Sequence, residues 1–222
     1  MHVNMKIGCL HAHHSNIEYI EQALSSSRSE LLHFVDPALV YRISSDGAFG
    51  LEDAMRRVKE QLEWIAGADT DAILITCTNY IAVLQEEESS VVVPVLKIDE
   101  PFFESVCACE EPQLVLFTNP ATVEGTMGRL REHARKAGRQ PRIEVLVLEG
   151  LFDLFMQGKK EEHRLALAER LRNIASEASG KRISVGQLSM SEAAKQVREE
   201  TGIEIGHPLE GLASYIERTL CR

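Results

Sequence analysis

The chain has 222 residues, 44% of them hydrophobic and 26% charged, a globular composition long enough for one large cored domain or two small ones. Its formal charge of −10 repels phosphate backbones and anionic lipid, which argues against nucleic acid and membrane as partners. No window approaches the ~20 apolar residues that span a bilayer, and no charged leader precedes a long apolar stretch, so no signal peptide is expected. The five cysteines, Cys9, Cys77, Cys107, Cys109 and Cys221, are odd in number and irregular in spacing. They read as reduced thiols of a cytoplasmic protein.

Short apolar runs predict strands at residues 6–10, 31–35, 72–76, 93–98, 113–117, 143–148 and 183–186. Helical patterns lie between them. Ser15 with Glu18 reads as a capping box ahead of Ile17, Ile20 and Leu24. Leu51, Met55, Val58, Leu62 and Ile65 repeat at helical spacing, and Gly67 follows as a stop. A helix over 102–109 carries Cys107 and Cys109. Pro120 and Pro208 read as first-turn prolines. Leu165, Leu167, Ala168 and Leu171 predict a helix over 161–175, and Ser189 with Glu192 reads as a second capping box. Strand, helix, strand, repeated, predicts a parallel α/β fold.

The chain carries a hint of internal duplication. The strand ending at His11 has a counterpart ending at Thr118, 107 positions on, and the strand ending near Cys77 has one ending near Gln187, 110 on. The offset is close to half the chain and predicts two related lobes. In parallel α/β folds ligands bind outside the carboxyl ends of the strands. Those ends are 11–16, 77–80, 118–122 and 187–191, each rich in small polar residues and leading towards a helix start, where exposed N–H groups favour an anion such as a carboxylate.

The same segments carry a family resemblance. Ile7-Gly8-Cys9-Leu10-His11 through Ser15-Asn16-Ile17, Ile75-Thr76-Cys77-Thr78-Asn79, Pro94 through Pro101, Phe117-Thr118-Asn119-Pro120-Ala121-Thr122 and Glu149-Gly150 through His163 together resemble the aspartate/glutamate/hydantoin racemase superfamily. The resemblance covers most of the chain. It implies an α/β fold of two pseudo-symmetric lobes, each a parallel sheet flanked by helices, with the active site in the cleft between them. It implies a first lobe of residues 1–98 plus 206–222 and a second of 99–205. It also implies racemisation without pyridoxal phosphate by two cysteines, one per lobe. The first is Cys77. The second falls at Gln187, whose amide neither gives nor takes a proton near neutral pH, so two-thiol racemisation is not expected here.

The candidate residues each admit two readings. Cys77, between polar neighbours at a strand end, reads as an acid, base or nucleophile, against a small packing hydrophobe. Thr78, Asn79, Thr118 and Thr122 read as substrate-binding donors, with Asn119 beside them, against simple helix capping. Gln187 offers both a donor and an acceptor to a carboxylate. His11, His13 and His14 cluster; His11 and His14 are expected to face substrate, and a histidine is a candidate for the missing acid/base partner. Histidines with a cysteine also suit zinc, but the spacing matches no closed metal motif, so no metal and no cofactor are assigned. His207, ahead of Pro208, is placed by the resemblance near the first lobe as a carboxylate contact. Cys9 reads as packing.

The expected function is a cofactor-independent racemase or epimerase acting at the α-carbon of a small carboxylate such as an amino acid, with Cys77 as acid/base. The alternatives are a single-cysteine decarboxylase or lyase of the same superfamily, and a non-catalytic module that binds a small carboxylate. A metal-dependent hydrolase on the histidine cluster is the third. A small-molecule carboxylate is the expected partner, and a homodimer is an admissible assembly.

Overall fold

The computed structural model describes residues 5–84, 91–178 and 180–220; Cys221 lies outside them. The chain divides into two compact units, residues 1–100 with 211–222, and residues 101–210.

The first unit is built on four parallel strands, β1 (Lys6–His11), β2 (Glu30–Val35), β3 (Ala72–Ile75) and β4 (Val95–Lys97), in the order β2-β1-β3-β4. Every residue of β3 is buried. Its unbroken Ala-Ile-Leu-Ile run fits a strand covered on both faces. The helices are α1 (Asn16–Ala23), α2 (Ala38–Ser45), α3 (Leu51–Ala66), α4 (Thr78–Val83) and α10 (Leu212–Leu220). α3 buries Ala54, Val58, Gln61, Leu62 and Ile65; Val58, Leu62 and Ile65 belong to the stripe read from the sequence, whereas Met55 is half-buried and Leu51, with Trp64, stays exposed. Gly8 admits this helix, since a Cβ there would collide with the Ile65 side chain. α10 is tied to its unit by the Tyr215 hydroxyl, which donates to the Glu100 carboxylate.

The second unit repeats the plan. Strands β5 (Gln113–Phe117), β6 (Ile143–Val147), β7 (Arg182–Val185) and β8 (Ile205–Gly206) run parallel in the order β6-β5-β7-β8. The helices are α5 (Glu100–Ala108), α6 (Val123–Lys136), α7 (Leu151–Met156), α8 (Lys160–Glu177) and α9 (Ser191–Thr201). β5 feeds two cores by its period of two. Val115 and Phe117 pack with Phe102, Phe103, Met127 and Leu130. Leu116 packs with Leu167, Leu171, Ala194 and Val197 on the other face. Replacing β1 by β5, β2 by β6, β3 by β7 and β4 by β8 converts one strand order into the other, as the duplicated offset predicts.

Three local readings are corrected. The Ser15 hydroxyl lies 2.7 Å from His13 Nδ1 and makes no cap bond to α1; its backbone is already helical, not the extended form that aims an N-cap oxygen at the first helical N–H groups. α9 starts at Ser191, and Ser189 sits in a preceding 3-10 turn, Leu188–Met190. Pro120 does open a 3-10 turn, Pro120–Thr122, but Pro208 opens no helix. The return to the first unit falls at Gly211 and not at 206, because β8 pairs with β7 and holds Gly206 opposite Ser184. His207 therefore belongs to the second unit.

Candidate functional site

In the first unit, β1 and β3 are hydrogen-bonded neighbours, so their carboxyl ends meet. Thr76 continues β3 and is buried; its N–H donates to the Leu10 carbonyl at 3.0 Å. Cys77 is half-buried, in extended backbone, at the N-cap position of α4, and is not in a disulfide. Its carbonyl accepts the first helical bond from Ile81 N at 3.1 Å. Thr78 is half-buried and Asn79 exposed. Tyr80 closes the far side: its hydroxyl donates to the Asp36 carbonyl at 2.6 Å, and burial, then the Asp36 charge, push the phenol well above its ordinary pKa.

His11 is fully buried and both of its ring nitrogens are engaged. Nδ1 lies 2.8 Å from Thr76 Oγ1, which also receives Asn16 Nδ2 at 3.3 Å. Nε2 lies 2.9 Å from Nδ1 of His33 on β2. Burial, with His33 beside it, lowers the His11 pKa to about 4, so the ring is neutral near pH 7. His14 is exposed and its ring lies tilted against that of His13, with ring centroids 4.3 Å apart.

In the second unit, β5 and β7 are likewise neighbours. Gln187, just past β7, turns its side-chain carbonyl onto the end of β5. Its Oε1 accepts from Thr118 N at 2.6 Å, Thr118 Oγ1 at 3.0 Å and Asn119 N at 3.0 Å. The Asn119 side chain accepts from Ala121 N at 3.0 Å, and the Thr122 hydroxyl donates to Asn119 O at 3.0 Å. These are the donors that the sequence marks as carboxylate holders, and the chain's own amide oxygen is seated on three of them.

His207 follows β8 and is buried, with 6% of its surface exposed. Burial, and then Lys195 and Arg198, lower its pKa to about 4. Its Nδ1 has no hydrogen-bond partner among the described residues. Two grooves lie elsewhere. One of about 830 Å³ involves Met127, Arg131, Arg135, Arg139, Ile143 and Val145; one of about 420 Å³ involves Asp36, Arg57, Gln61 and Trp64. None of the site residues singled out in the sequence lines either.

Sequence reasoning missed His33. It stands 22 positions from His11, and only the parallel register, which sets Cys9 opposite His33, brings the three together. A histidine inside an apolar strand run was the available signal.

No protein-family profile matches the chain, and no curated protein matches it in sequence. Solved structures do match. The aspartate racemase of Picrophilus torridus superposes with a TM-score of 0.69 at 12% identity, covering 98% of this chain and 95% of that one. A glutamate racemase of Bacillus anthracis gives 0.70 at 12% identity, over 99% and 83%. The allantoin racemase of Klebsiella pneumoniae gives 0.64 at 18% identity, over 98% and 88%. The chain therefore has the fold of these aspartate, glutamate and allantoin racemases. No helix of the described residues is long and apolar enough to cross a membrane.

Proposed function

We propose that the protein is a cofactor-independent racemase- or epimerase-like enzyme that moves a proton at the α-carbon of a small carboxylate, an amino acid being the first class to try. The reading rests above all on Cys77. A half-buried thiol sits at the carboxyl end of a central parallel strand, at the start of a helix, between two threonines, where ligands of α/β folds bind. The folds that match belong to aspartate, glutamate and allantoin racemases.

In this scheme the Cys77 thiolate accepts the α-proton and becomes a thiol. The electron pair left on carbon spreads into the carboxylate as an enolate. Thr78, Asn79, Thr118, Thr122 and Gln187 are assigned to the carboxylate and to the developing charge. Inversion then needs a proton delivered to the opposite face of the carbon, a role assigned to a histidine or a water, and the Cys77 thiol afterwards gives up the proton it took. A thiol acting this way must stay reduced, which fits a cytoplasmic protein.

A second reading is favoured by Gln187. It occupies the position after β7 that Cys77 occupies after β3, and it carries no exchangeable acid near neutral pH. With one thiol, proton delivery to a single face, as in decarboxylation or lyase chemistry, follows in place of racemisation.

The test is proton NMR in D₂O with D- and L-aspartate, glutamate, hydantoins and substituted malonates, beside Cys77→Ala. Loss of the α-proton signal together with formation of the other enantiomer supports racemisation. A single labelled product with loss of substrate supports the one-sided reading. Turnover fully retained in Cys77→Ala overturns both.

A further inference from the structure

We propose that Cys9, His11 and His33 form a binding site for one zinc-class cation in the first unit, separate from the thiol assigned to the proposed reaction. The parallel register sets Cys9 on β1 opposite His33 on β2. His11, two residues beyond Cys9, points to the same face of the sheet. One ligating atom from each of the three lies within 4.8 Å of the others, and among the described residues this is the group that meets that condition. Cys9 and His11 are fully buried and the His33 side chain is 15% exposed.

One sulfur and two imidazole nitrogens are a donor set for zinc and its neighbours, and a poor one for magnesium or calcium. The orientation of the rings adds to this. His11 Nε2 and His33 Nδ1 face each other at 2.9 Å, a gap that in the metal-free chain must hold a single proton. The outer nitrogens face acceptors. His11 Nδ1 lies 2.8 Å from Thr76 Oγ1, whose own proton can go to the Leu10 carbonyl at 3.2 Å. His33 Nε2, buried and without a hydrogen-bond partner among the described residues, lies 3.7 Å from the Glu21 carboxylate. Metal-bound histidines are typically held this way, with the far N–H donated to an oxygen that fixes the tautomer.

The protons balance. With the ion between the two inner nitrogens, the His11 proton sits on Nδ1 and is donated to Thr76, and the His33 proton sits on Nε2 and is directed at Glu21. Cys9, which in the metal-free chain donates its proton towards the Ile7 carbonyl at 3.8 Å, binds as thiolate. One proton, from the thiol, is released per divalent ion.

The experiment is titration of the full chain, stripped with a chelator, first with Co²⁺ as the coloured probe and then with Zn²⁺ in competition. The expected result is uptake of one ion per chain, with tetrahedral cobalt bands and a sulfur-to-cobalt charge-transfer band that Zn²⁺ bleaches. Cys9→Ser should abolish the charge-transfer band and Cys77→Ser should keep it. Glu21→Gln, at an exposed position where folding is not at stake, should weaken Zn²⁺ by about 10–100-fold with an unchanged circular dichroism spectrum. No uptake by the wild type, a charge-transfer band that follows Cys77 and not Cys9, or an unchanged affinity in Glu21→Gln would each overturn the proposal.

Discussion

The side-chain oxygen of Gln187 lies 2.6 Å from the amide nitrogen of Thr118. The same oxygen takes the Thr118 hydroxyl and the Asn119 amide, so one acceptor satisfies three donors at the end of β5. Those donors would otherwise form an anion-binding nest at a turn. Gln187 thus does two things at once: it pins the end of β7 to the end of β5, and it supplies the oxygen that a carboxylate would bring. A substrate carboxylate bound on Thr118 and Asn119 has to displace this amide first.

Removing that oxygen leaves partly buried donors without an acceptor. Gln187→Ala is expected to destabilise the second unit by about 1–3 kcal/mol, the cost of unsatisfied groups less whatever water recovers. Urea unfolding measures it. The affinity of the same variant for acetate, read by calorimetry, separates the two roles of the amide: tighter binding means that its oxygen competes for these donors, weaker binding that it holds the carboxylate itself. Stability and anion binding both unchanged would mean that the amide is not seated on these donors in solution.

Gly186 sets up this contact. A Cβ at Gly186 would come within 2.5 Å of the Phe117 ring, which is fully buried between β5 and the α5/α6 core. The ring has little room to give way, since filled cores tolerate added atoms poorly. Gly186→Ala should therefore cost about 1–3 kcal/mol. It should also disturb the Thr118–Gln187 contact, because Phe117 and Gly186 are the residues immediately before its two ends. A thermal midpoint within a degree of the wild type would contradict the steric argument.

Most of the frame was legible in the sequence, and the failures have physical causes. β1, β3 and β5 announced themselves because strands covered on both faces read as unbroken apolar runs. β8 escaped because two residues, Ile205 and Gly206, make no pattern. The resemblance implied a return to the first lobe at 206, ahead of His207, where the compact units divide at Gly211. The equivalence of Cys77 and Gln187 came from an offset along the chain, which is local information. The contacts of Gln187 and the meeting of His11 with His33 come from strand register, which joins residues far apart in sequence and leaves no mark in either segment. Ser15 misled because its backbone is helical and not extended, so its hydroxyl is not aimed back at a helix N–H and meets the His13 ring instead, which sequence spacing does not see.

Cys77 is the residue on which the proposed chemistry stands. Cys77→Ser keeps the size and the hydrogen-bonding capacity but lacks an ionisable thiol. It should lower α-proton exchange by roughly 10²–10⁴-fold, the usual worth of a positioned acid/base group, while leaving the unfolding midpoint in urea nearly unchanged. A rate within a few-fold of the wild type would move the proton transfer to another group.

His207 predicts a pH dependence whose sign can be worked out. Its folded pKa is about 4, against an ordinary value near 6.5. Between those values the unfolded chain binds a proton at this residue and the folded chain does not. Stability therefore rises with pH across that window, and is lost as pH falls from about 6.5 towards 4. The slope from one such group is at most about 1.4 kcal/mol per pH unit, or roughly 3 kcal/mol over the window. Lys195 and Arg198 are the cations that oppose its charging. Urea unfolding between pH 4 and 7 should show the wild type losing stability on acidification, and His207→Asn losing less by about one proton's worth of slope. Parallel curves for the two proteins would mean that His207 titrates in the folded chain as it does in water, and that the burial of its ring is not maintained.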